Sequence, residues 1–362
     1  MNTSYCVIGA ALASALACSS VGAAPLDALL TANQNNMPGK GEVEVSYDLI
    51  NNSLDFLNLR EKNGSTTNVG DYKGGHVRGG VAITPRLWVD GALWQRQIDY
   101  RSFLAKLNTW QLAGQYKVIE GAGYVPSVAV RLGAWGNSAD SLTKFTNTTV
   151  VGTKFTSATV TEPKDTQYQL DLIGTWPLSQ QTEVSIFAGA GASRITFDSI
   201  SATSRTANGC EYNVAFSQDG SVATLAQPCS AKVVITRFTQ PASATVDVYK
   251  EARYTASYYQ AGFMAAWHSQ DWRIRAGYQY QTINRSEVDD IIVSRGNTPY
   301  KHNHVLIGDV SYHAFKNTIV FLRGQYMANQ FNGEVPLAYN SLTADRFNQR
   351  YGLVSTGLIF TF

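Results

Sequence analysis

Three residues near position 310 combine the side-chain types of a hydrolytic triad. Asp309, Ser311 and His313 alternate along the chain, so an extended segment would place an acid, a nucleophile and a base on one face. Positions i and i+2 of a strand lie roughly 6.6 Å apart, beyond direct hydrogen-bonding distance unless the rotamers are favourable. The alternating polar face of a strand explains the trio without catalysis, and we predict no catalytic residue.

Two histidines just before this trio are the nearest approach to a metal site. His302 and His304 are two positions apart, with Lys301 beside them. Two imidazoles without a nearby carboxylate or thiolate pair fall short of the four ligands of a structural zinc site. The sequence contains no glycine-rich phosphate loop, zinc-finger spacing or haem motif. We therefore predict no metal centre and no cofactor, and interpret both histidines as exposed polar loop residues.

Many charged residues alternate with apolar ones. Arg131 stands between two aliphatic residues, and Arg273 and Arg275 flank Ile274. Because side chains alternate across a strand, such segments have a charged face and an uncharged face. The charged faces hold Glu42, Glu44, Asp48, Asp90, Asp171, Glu183, Asp309, Arg78, Arg96, Lys117, Arg131, Arg273, Arg275 and Arg323, with His76 and His313. Seven of these are the candidates for solute selectivity: Arg131, Arg273, Arg275, Arg323, Asp90, Asp171 and Asp309.

Twelve segments with period-two alternation position these charges and predict β-strands. They lie near 42–54, 74–84, 87–100, 103–119, 125–139, 165–177, 183–199, 250–267, 272–285, 302–314, 318–328 and 346–362. Every second connection is short, near 85–86, 120–123, 179–181, 268–271 and 315–317. The others are mostly long and polar, near 55–73, 140–164, 200–249, 286–301 and 329–345, and only the link near Arg101 is short. An all-β sandwich would have no reason to sort its loops by length.

The two ends of the chain carry further signals. Residues Cys6 to Ala17 form an apolar run of secretory h-region length, and small residues end at Ala23, where a signal peptidase would cut. Cleavage before Cys18 as a lipoprotein fits less well. The run is too short for a spanning helix, which needs about 20 apolar residues. At the other end Leu358, Phe360 and Phe362 share one face of a strand that stops on an aromatic residue.

This closing strand resembles that of bacterial outer-membrane β-barrels, whose terminal aromatic residue is part of the signal read by their assembly machinery. The resemblance, the alternating faces and the sorted connections predict an all-β fold, a single transmembrane antiparallel barrel of about twelve strands. Its short turns would be periplasmic and its long loops extracellular. We expect a signal peptide over 1–23, a periplasmic lead-in over 24–40 and the barrel over 41–362, in the bacterial outer membrane. The expected partners are outer-membrane lipid, lipopolysaccharide and the β-barrel assembly machinery.

The composition agrees with this class. The net charge is +2 and charged residues make up 15% of the chain, which also has 30 Gly, 19 Tyr and 7 Trp. Tyr and Trp suit membrane interfaces, whereas a nucleic-acid site would need a strongly basic stripe. After signal cleavage Cys210 and Cys229 remain, both in the polar stretch 200–249. We predict that they form a disulfide in an oxidising compartment.

The charged face then predicts a role for the lumen. Charges on a pore wall tune selectivity, so we expect a narrow porin-like channel for small hydrophilic solutes, with the arginines favouring anions. In architecture and lumen arginines the chain resembles the narrow monomeric porins for acidic sugars, without a shared motif. One alternative is a sealed structural, receptor or adhesion barrel that acts through its extracellular loops. Another is an outer-membrane lipid hydrolase, because phospholipases and lipid A deacylases of that membrane also have twelve strands.

Overall fold

The computed structural model describes residues 37–51, 53–54, 71–99, 104–122, 125–150, 153–206, 209–229, 234–241, 249, 253–294, 296–328 and 350–362. The predicted signal peptide over 1–23 lies outside these residues, as do most of the lead-in and the link near position 101. The predicted loop over 329–345 also lies outside them.

Eighteen strands, numbered in chain order, occur in the described residues. They are β1 (Gly41–Ile50), β2 (Asp71–Ala82), β3 (Leu87–Asp99), β4 (Leu104–Ile119), β5 (Ser127–Ser138), β6 (Ser141–Val150), β7 (Thr153–Thr161), β8 (Lys164–Pro177), β9 (Thr182–Thr196), β10 (Ser199–Thr206), β11 (Glu211–Ser217), β12 (Gly220–Leu225), β13 (Arg237–Pro241), β14 (Thr255–His268), β15 (Trp272–Arg285), β16 (His302–Phe315), β17 (Thr318–Met327) and β18 (Tyr351–Thr361).

Twelve of these strands close an antiparallel barrel, in the order β1-β18-β17-β16-β15-β14-β9-β8-β5-β4-β3-β2. Each of the twelve predicted strands corresponds to one of them, so the predicted fold is confirmed. The first and last strands pair along their length, from Glu42 opposite Thr361 to Leu49 opposite Val354. The backbones of Gly41 and Phe362 exchange two hydrogen bonds, of 3.1 and 3.0 Å, at the end of this seam.

The outer surface of the barrel is apolar and bounded by two aromatic belts. Leu93, Leu132 and Leu172 are 67%, 62% and 56% exposed, as expected for side chains that face lipid. Near the short turns the exposed aromatic residues include Tyr116, Trp267, Trp272, Tyr312, Phe315, Phe360 and Phe362. Nearer the other end they are Tyr47, Trp110, Tyr168 and Tyr259. Such belts mark the two membrane interfaces, and the barrel is therefore a transmembrane one.

The predicted long loops over 140–164 and 200–249 are wrong in part, because their described residues form a second sheet. It has six antiparallel strands in the order β13-β12-β11-β10-β7-β6. Strands β6, β7 and β10 prolong the barrel strands β5, β8 and β9 in the same lateral order, after interruptions at 139–140, 162–163 and 197–198. At the middle interruption Glu162 adopts a left-handed backbone (φ 45°), and the neighbouring Lys164 lowers the pKa of its carboxyl. One wall of the barrel thus extends beyond the membrane.

The two faces of this extracellular sheet differ. Its buried face is largely apolar and comprises Phe155, Val160, Ile200, Ala202, Tyr212, Val214, Phe216 and Ala223. The opposite face is dominated by hydroxyl and other polar side chains: Ser157, Thr159, Ser201, Thr203, Asn213, Thr224 and Arg237. Cys210 and Cys229 form the predicted disulfide beside β11 and β12.

The connection between β15 and β16 contains a short helix, α1 (Val288–Ser294), within a region predicted to be a loop. Val288 and Ile292 are buried, and Asp289 lies 3.4 Å from Arg285 of the preceding strand. The helix is therefore packed at the extracellular end of the barrel. In the part of the chain that the structure describes, no helix is both long and apolar enough to span a membrane.

We expect the disulfide to stabilise the extracellular sheet and to leave the barrel unaffected. A crosslink across 19 residues contributes about 3 kcal/mol in the loop-entropy model. Replacing Cys210 and Cys229 by serine should therefore accelerate proteolysis between them without lowering the temperature at which the barrel unfolds in detergent. Two alkylatable thiols in the non-reduced parent would contradict the disulfide.

Candidate functional site

The lumen contains a band of polar side chains that we call the charge belt. Its members all lie on inward positions of barrel strands and are at most 8% exposed. They are Glu44, Asp48, His76, Arg78, Asp90, Arg131, Asp171, Gln260, Arg275, Gln279, Asp309 and Arg323. Because an unpaired charge at such depth is strongly unfavourable, the partners of each member decide whether the lumen is stable.

One segment of the belt joins strands β2, β3 and β5. Both guanidinium nitrogens Nη1 and Nη2 of Arg131 donate to the carboxylate of Asp90, at 2.7 and 2.8 Å. This two-point geometry is the strong form of the arginine–carboxylate pair. Arg78 lies 3.7 Å from the same carboxylate on its other side. The Asp90 carboxylate therefore lies between two guanidinium groups, and one of them belongs to Arg131, a predicted selectivity residue.

A longer segment continues from β15 through β16 and β17 to β1. Asp309 accepts hydrogen bonds from Arg275 at 3.0 Å and from Arg323 at 3.1 Å. Arg323 also donates from Nη1 and Nη2 to the carboxylate of Glu44, at 2.9 and 3.1 Å. The packing of Arg323 over the ring of Phe321, 4.7 Å from its centroid, holds the guanidinium between the two acids.

His76 of β2 ends this segment between two carboxylates. Its Nε2 lies 2.8 Å from Glu44, and its Nδ1 lies 2.9 Å from Asp48. Because carboxylates only accept hydrogen bonds, both ring nitrogens must carry a proton for both contacts to be favourable. The geometry therefore describes a cationic imidazole, which sequence analysis placed on the inward face without assigning it a partner.

The surroundings of His76 superficially resemble a serine hydrolase triad. The Oγ of Ser46 lies 2.8 Å from Nδ1 of His76, and Glu44 lies on the opposite ring nitrogen. A general base needs an unprotonated nitrogen facing the nucleophile. Here Asp48 contacts the same nitrogen and also accepts the Ser46 hydroxyl proton at 2.7 Å, so the arrangement favours a charged histidine.

Amides complete the remaining part of the belt. Asp171 of β8 accepts hydrogen bonds from Gln169 at 2.6 Å and Gln260 of β14 at 2.7 Å. Gln279 of β15 donates to Gln260 at 3.0 Å. Asp171 is thus held by amide donors, with Tyr258 bonded to Gln169 nearby. Among the described residues, the partners within hydrogen-bonding distance of this predicted selectivity residue are amides and not a cation.

One of these links depends on a glycine in the strand that it crosses. Gln260 and Asp171 lie on β14 and β8, and Gly189 of the intervening β9 is in register with both. A Cβ atom at position 189 would meet the Oδ1 of Asp171 at 2.0 Å, and the backbone oxygen of Leu170 at 2.6 Å. The missing side chain therefore provides the space through which the carboxylate reaches the amide.

The belt follows the wall of the barrel. Among the described residues, its bonds join strands that are adjacent, as β15 and β16 are, or separated by one strand, as β17 and β1 are. Opposite walls of a twelve-stranded barrel are six strands apart. The partners are thus satisfied around the circumference, and the pairing itself needs no bond across the bore.

The structure brings together two residues of the trio in β16, Asp309 and Ser311, and leaves His313 apart from them. Ser311 donates to Asp309 at 2.9 Å, the contact that we expected only with favourable rotamers. The side chains lean along the strand, and the pairs Ser46–Asp48 and Gln169–Asp171 make the same contact. His313 is exposed near the turn, while the carboxylate of Asp309 is bound by two arginines. Arg273 is half-buried above this turn, and its Nε has no hydrogen-bond partner within the described residues.

His302 and His304 lie on the outer face of β16, not in the lumen. Their Nδ1 atoms are 2.6 Å from the hydroxyl of Tyr280 and 2.7 Å from that of Tyr278, respectively. Both histidines are exposed as predicted, but they belong to a strand and not to the predicted loop. In the described ranges no group of three or more His, Cys, Asp or Glu side chains is placed to hold a metal ion.

The sequence analysis missed a polar cluster at the extracellular end of the lumen. Arg96, which is fully buried, donates to Thr109 and, at 2.9 Å, to Asn137. The backbone of Asn137 donates to Asp165 at 3.0 Å, and the side chain of Gln167 donates to the same carboxylate. Asp165 is the first residue of the predicted strand 165–177. It lies an even number of positions from Asp171, and this spacing was the signal that places it on the lumen face.

Comparisons with known proteins extend to the fold alone. No family model matches the chain, and no curated protein is significantly similar to it. The NanC porin is 11% identical with a TM-score of 0.39, over 88% of this chain and 98% of that one. The translocator domain of autotransporter NalP from Neisseria meningitidis is 11% identical with a TM-score of 0.48, over 92% of both. The P. putida toluene transporter TodX is 11% identical with a TM-score of 0.39, over 97% of both.

We expect Gly189→Ala to destabilise the barrel by about 1–3 kcal/mol, because the added methyl group displaces Asp171 from Gln260. Gly133→Ala is the matched control, since a Cβ there meets Ala113 at an ordinary 3.7 Å. Urea unfolding in lipid vesicles measures the free energy of unfolding of both variants. Equal stability of the two variants would show that the crossing at Gly189 is not constrained.

Removal of the Glu44 carboxylate should lower the stability of the barrel much more than removal of an acid near the turns. Glu44→Gln leaves Arg323 and His76 without their shared acid, and breaking a buried pair costs about 3–5 kcal/mol. Glu120→Gln is the control, because Glu120 pairs with Arg86 at 3.1 Å on exposed turns and an exposed ion pair contributes little to stability. Similar unfolding midpoints for both variants would contradict a stabilising belt.

Proposed function

We propose that the protein is a narrow channel of the bacterial outer membrane that passes small hydrophilic solutes. The observation that carries this proposal is the charge belt, whose charged groups find their partners along the wall rather than across the bore. A lumen lined with paired charges and amides offers hydrogen-bonding groups to water and to polar solutes. The apolar outer surface is suited to contact with membrane lipid.

The same belt limits what can pass. Its side chains are at most 8% exposed, so any route at this depth is narrow. We therefore infer a small conductance and a size limit near that of small metabolites, not that of oligomers.

The proposed selectivity is a mild preference for anions, and it rests mainly on Arg273. Arg131, Arg275 and Arg323 are in ion pairs, which reduces the field that each presents to the bore. Arg273 is half-buried, and the described residues provide no hydrogen-bond partner for its Nε. A cation in a low-dielectric wall attracts anions more strongly than one in bulk water.

A second candidate function is a sealed barrel that binds a partner outside the cell. The observation in its favour is the extracellular sheet, whose six strands and polar face form a sizeable platform. For hydrolysis we find less support. We infer that Ser311 and Asp309 serve the charge belt, because Arg275 and Arg323 occupy the carboxylate that a catalytic histidine would need.

Planar-bilayer recording tests the channel and its selectivity together. The parent should give a small conductance, and its reversal potential across a salt gradient should indicate anion preference. Arg273→Gln should move that potential toward zero, whereas Arg86→Gln should not. Arg86 is the matched control because it pairs with Glu120 on an exposed periplasmic turn outside the lumen. The difference should shrink from 0.1 M to 1 M salt, as the Debye length falls from about 10 Å to about 3 Å.

Folded protein without conductance would contradict the channel and favour the sealed barrel. Conductance with the same selectivity in the parent and in Arg273→Gln would support the channel but contradict the proposed role of Arg273. Lipid hydrolysis by purified protein would return the enzyme to consideration.

A further inference from the structure

The outer wall of the barrel has a concavity on its extracellular half, which we call the Gly75 groove. It has a volume of about 710 Å³ and is lined mainly by outward residues of β1 to β5. The residues that the argument uses are Tyr47, Lys73, Gly75, Leu93, Gln95 and Trp110. None of the belt charges except His76 is among the lining residues, so this space is distinct from the proposed channel.

Glycine explains why a convex barrel surface is hollow here. Gly75 is in register with Tyr47 on one side and Gln95 on the other, so two large side chains flank a position that has none. A Cβ at position 75 would meet the backbone oxygen of Ser46 at 2.8 Å. On the far side, Gly136 allows the Trp110 indole to lie close to the wall, because a Cβ at 136 would meet its Nε1 at 2.6 Å. The groove is therefore built into the backbone.

The chemistry of the groove changes along the strand direction. The part nearer the membrane centre is apolar, with Val77, Leu93 and Trp110. Toward the extracellular end the lining becomes polar and cationic, with Gln95, Gln97, Asn108 and the exposed Lys73. An apolar pocket that continues into amides and an ammonium group has the polarity of one amphiphile, with its chain toward the bilayer centre and its headgroup at the surface.

We propose that the Gly75 groove binds one phosphorylated glycolipid of the outer leaflet, of the lipopolysaccharide class. An acyl chain would occupy the part between Leu93 and Trp110, and a headgroup phosphate would pair with Lys73. Gln95, Gln97 and Asn108 would hydrogen-bond sugar hydroxyls, which an ordinary phospholipid headgroup offers in smaller number. The membrane position of the groove determines that its occupant is a lipid, and its place on the extracellular half selects the outer leaflet.

The orientation that this assignment needs follows from the connections. The short turns, such as that between His268 and Trp272, lie at one end of the barrel, and the second sheet prolongs the other. Short turns are periplasmic in outer-membrane barrels. Lys73 lies near the opposite, extracellular end, in the strand that begins at Asp71. The proposed site requires the membrane location but is independent of whether the lumen conducts.

Native mass spectrometry of the full-length mature barrel tests the site. Purified rough-type lipopolysaccharide is added to detergent-solubilised protein, and we expect one molecule to remain bound. Lys73→Glu should weaken binding by at least about tenfold, because an attractive charge becomes repulsive. Arg194→Glu is the matched control: Arg194 is an exposed cation near the extracellular end of β9, five strands from β2 around the barrel. The Arg194→Glu variant should bind lipopolysaccharide as tightly as the parent does.

Trp110→Ala gives a second measure that leaves every charge in place. It should also release the glycolipid, because the acyl chain loses one wall of the groove. Equal losses in Lys73→Glu and Arg194→Glu would overturn the proposal, since they would indicate a diffuse charge effect. It would also be overturned by no bound lipid, or by displacement of the glycolipid by phosphatidylglycerol at equal concentration.

Discussion

The structure depends on one constraint: a charge inside a closed barrel must find its partner on the wall. Backbone hydrogen bonds are used by the sheet, so the arginines and acids of the lumen bind one another, the amides and hydroxyl groups such as that of Ser311. The consequence is the charge belt, in which Asp309 serves Arg275 and Arg323 while Glu44 serves Arg323 and His76. Shared acids make the members interdependent, so the stability of the lumen is a property of the belt and not of single pairs.

Pairing around a wall imposes a second constraint, on the residues that lie between partners. A side chain that reaches from β8 to β14 must pass over β9, and only a small residue leaves room at that point. Gly189 meets this need beside Asp171, whereas Gly308 and Gly324 have nothing within 4 Å of a Cβ. The glycines of the barrel thus differ in role. Some accommodate a crossing side chain or an indole ring, and others have open space around them.

The alternation of the sequence predicted twelve barrel strands and the residues that face the lumen, because inside and outside differ in polarity at every second position. The partners were beyond prediction. Arg323 and Glu44 are 279 positions apart, and only the barrel order places β17 one strand from β1. The extracellular sheet was missed for another reason. Segments such as Ser199–Thr206 are short and rich in Ser and Thr, so their overall polarity predicted loops, although Ile200 and Ala202 alternate with polar residues.

The seam between the first and last strands unites the fold with the belt. Gly41 and Phe362 exchange backbone hydrogen bonds at its periplasmic end, where the aromatic ring occupies the space that a side chain at position 41 would need. Arg323 pairs with Asp309 on the neighbouring β16, a contact that does not cross the seam. Its pair with Glu44 spans β18 and requires β1 to be in place. Completion of the belt therefore requires closure of the seam, because Arg323 reaches its second acid only across it.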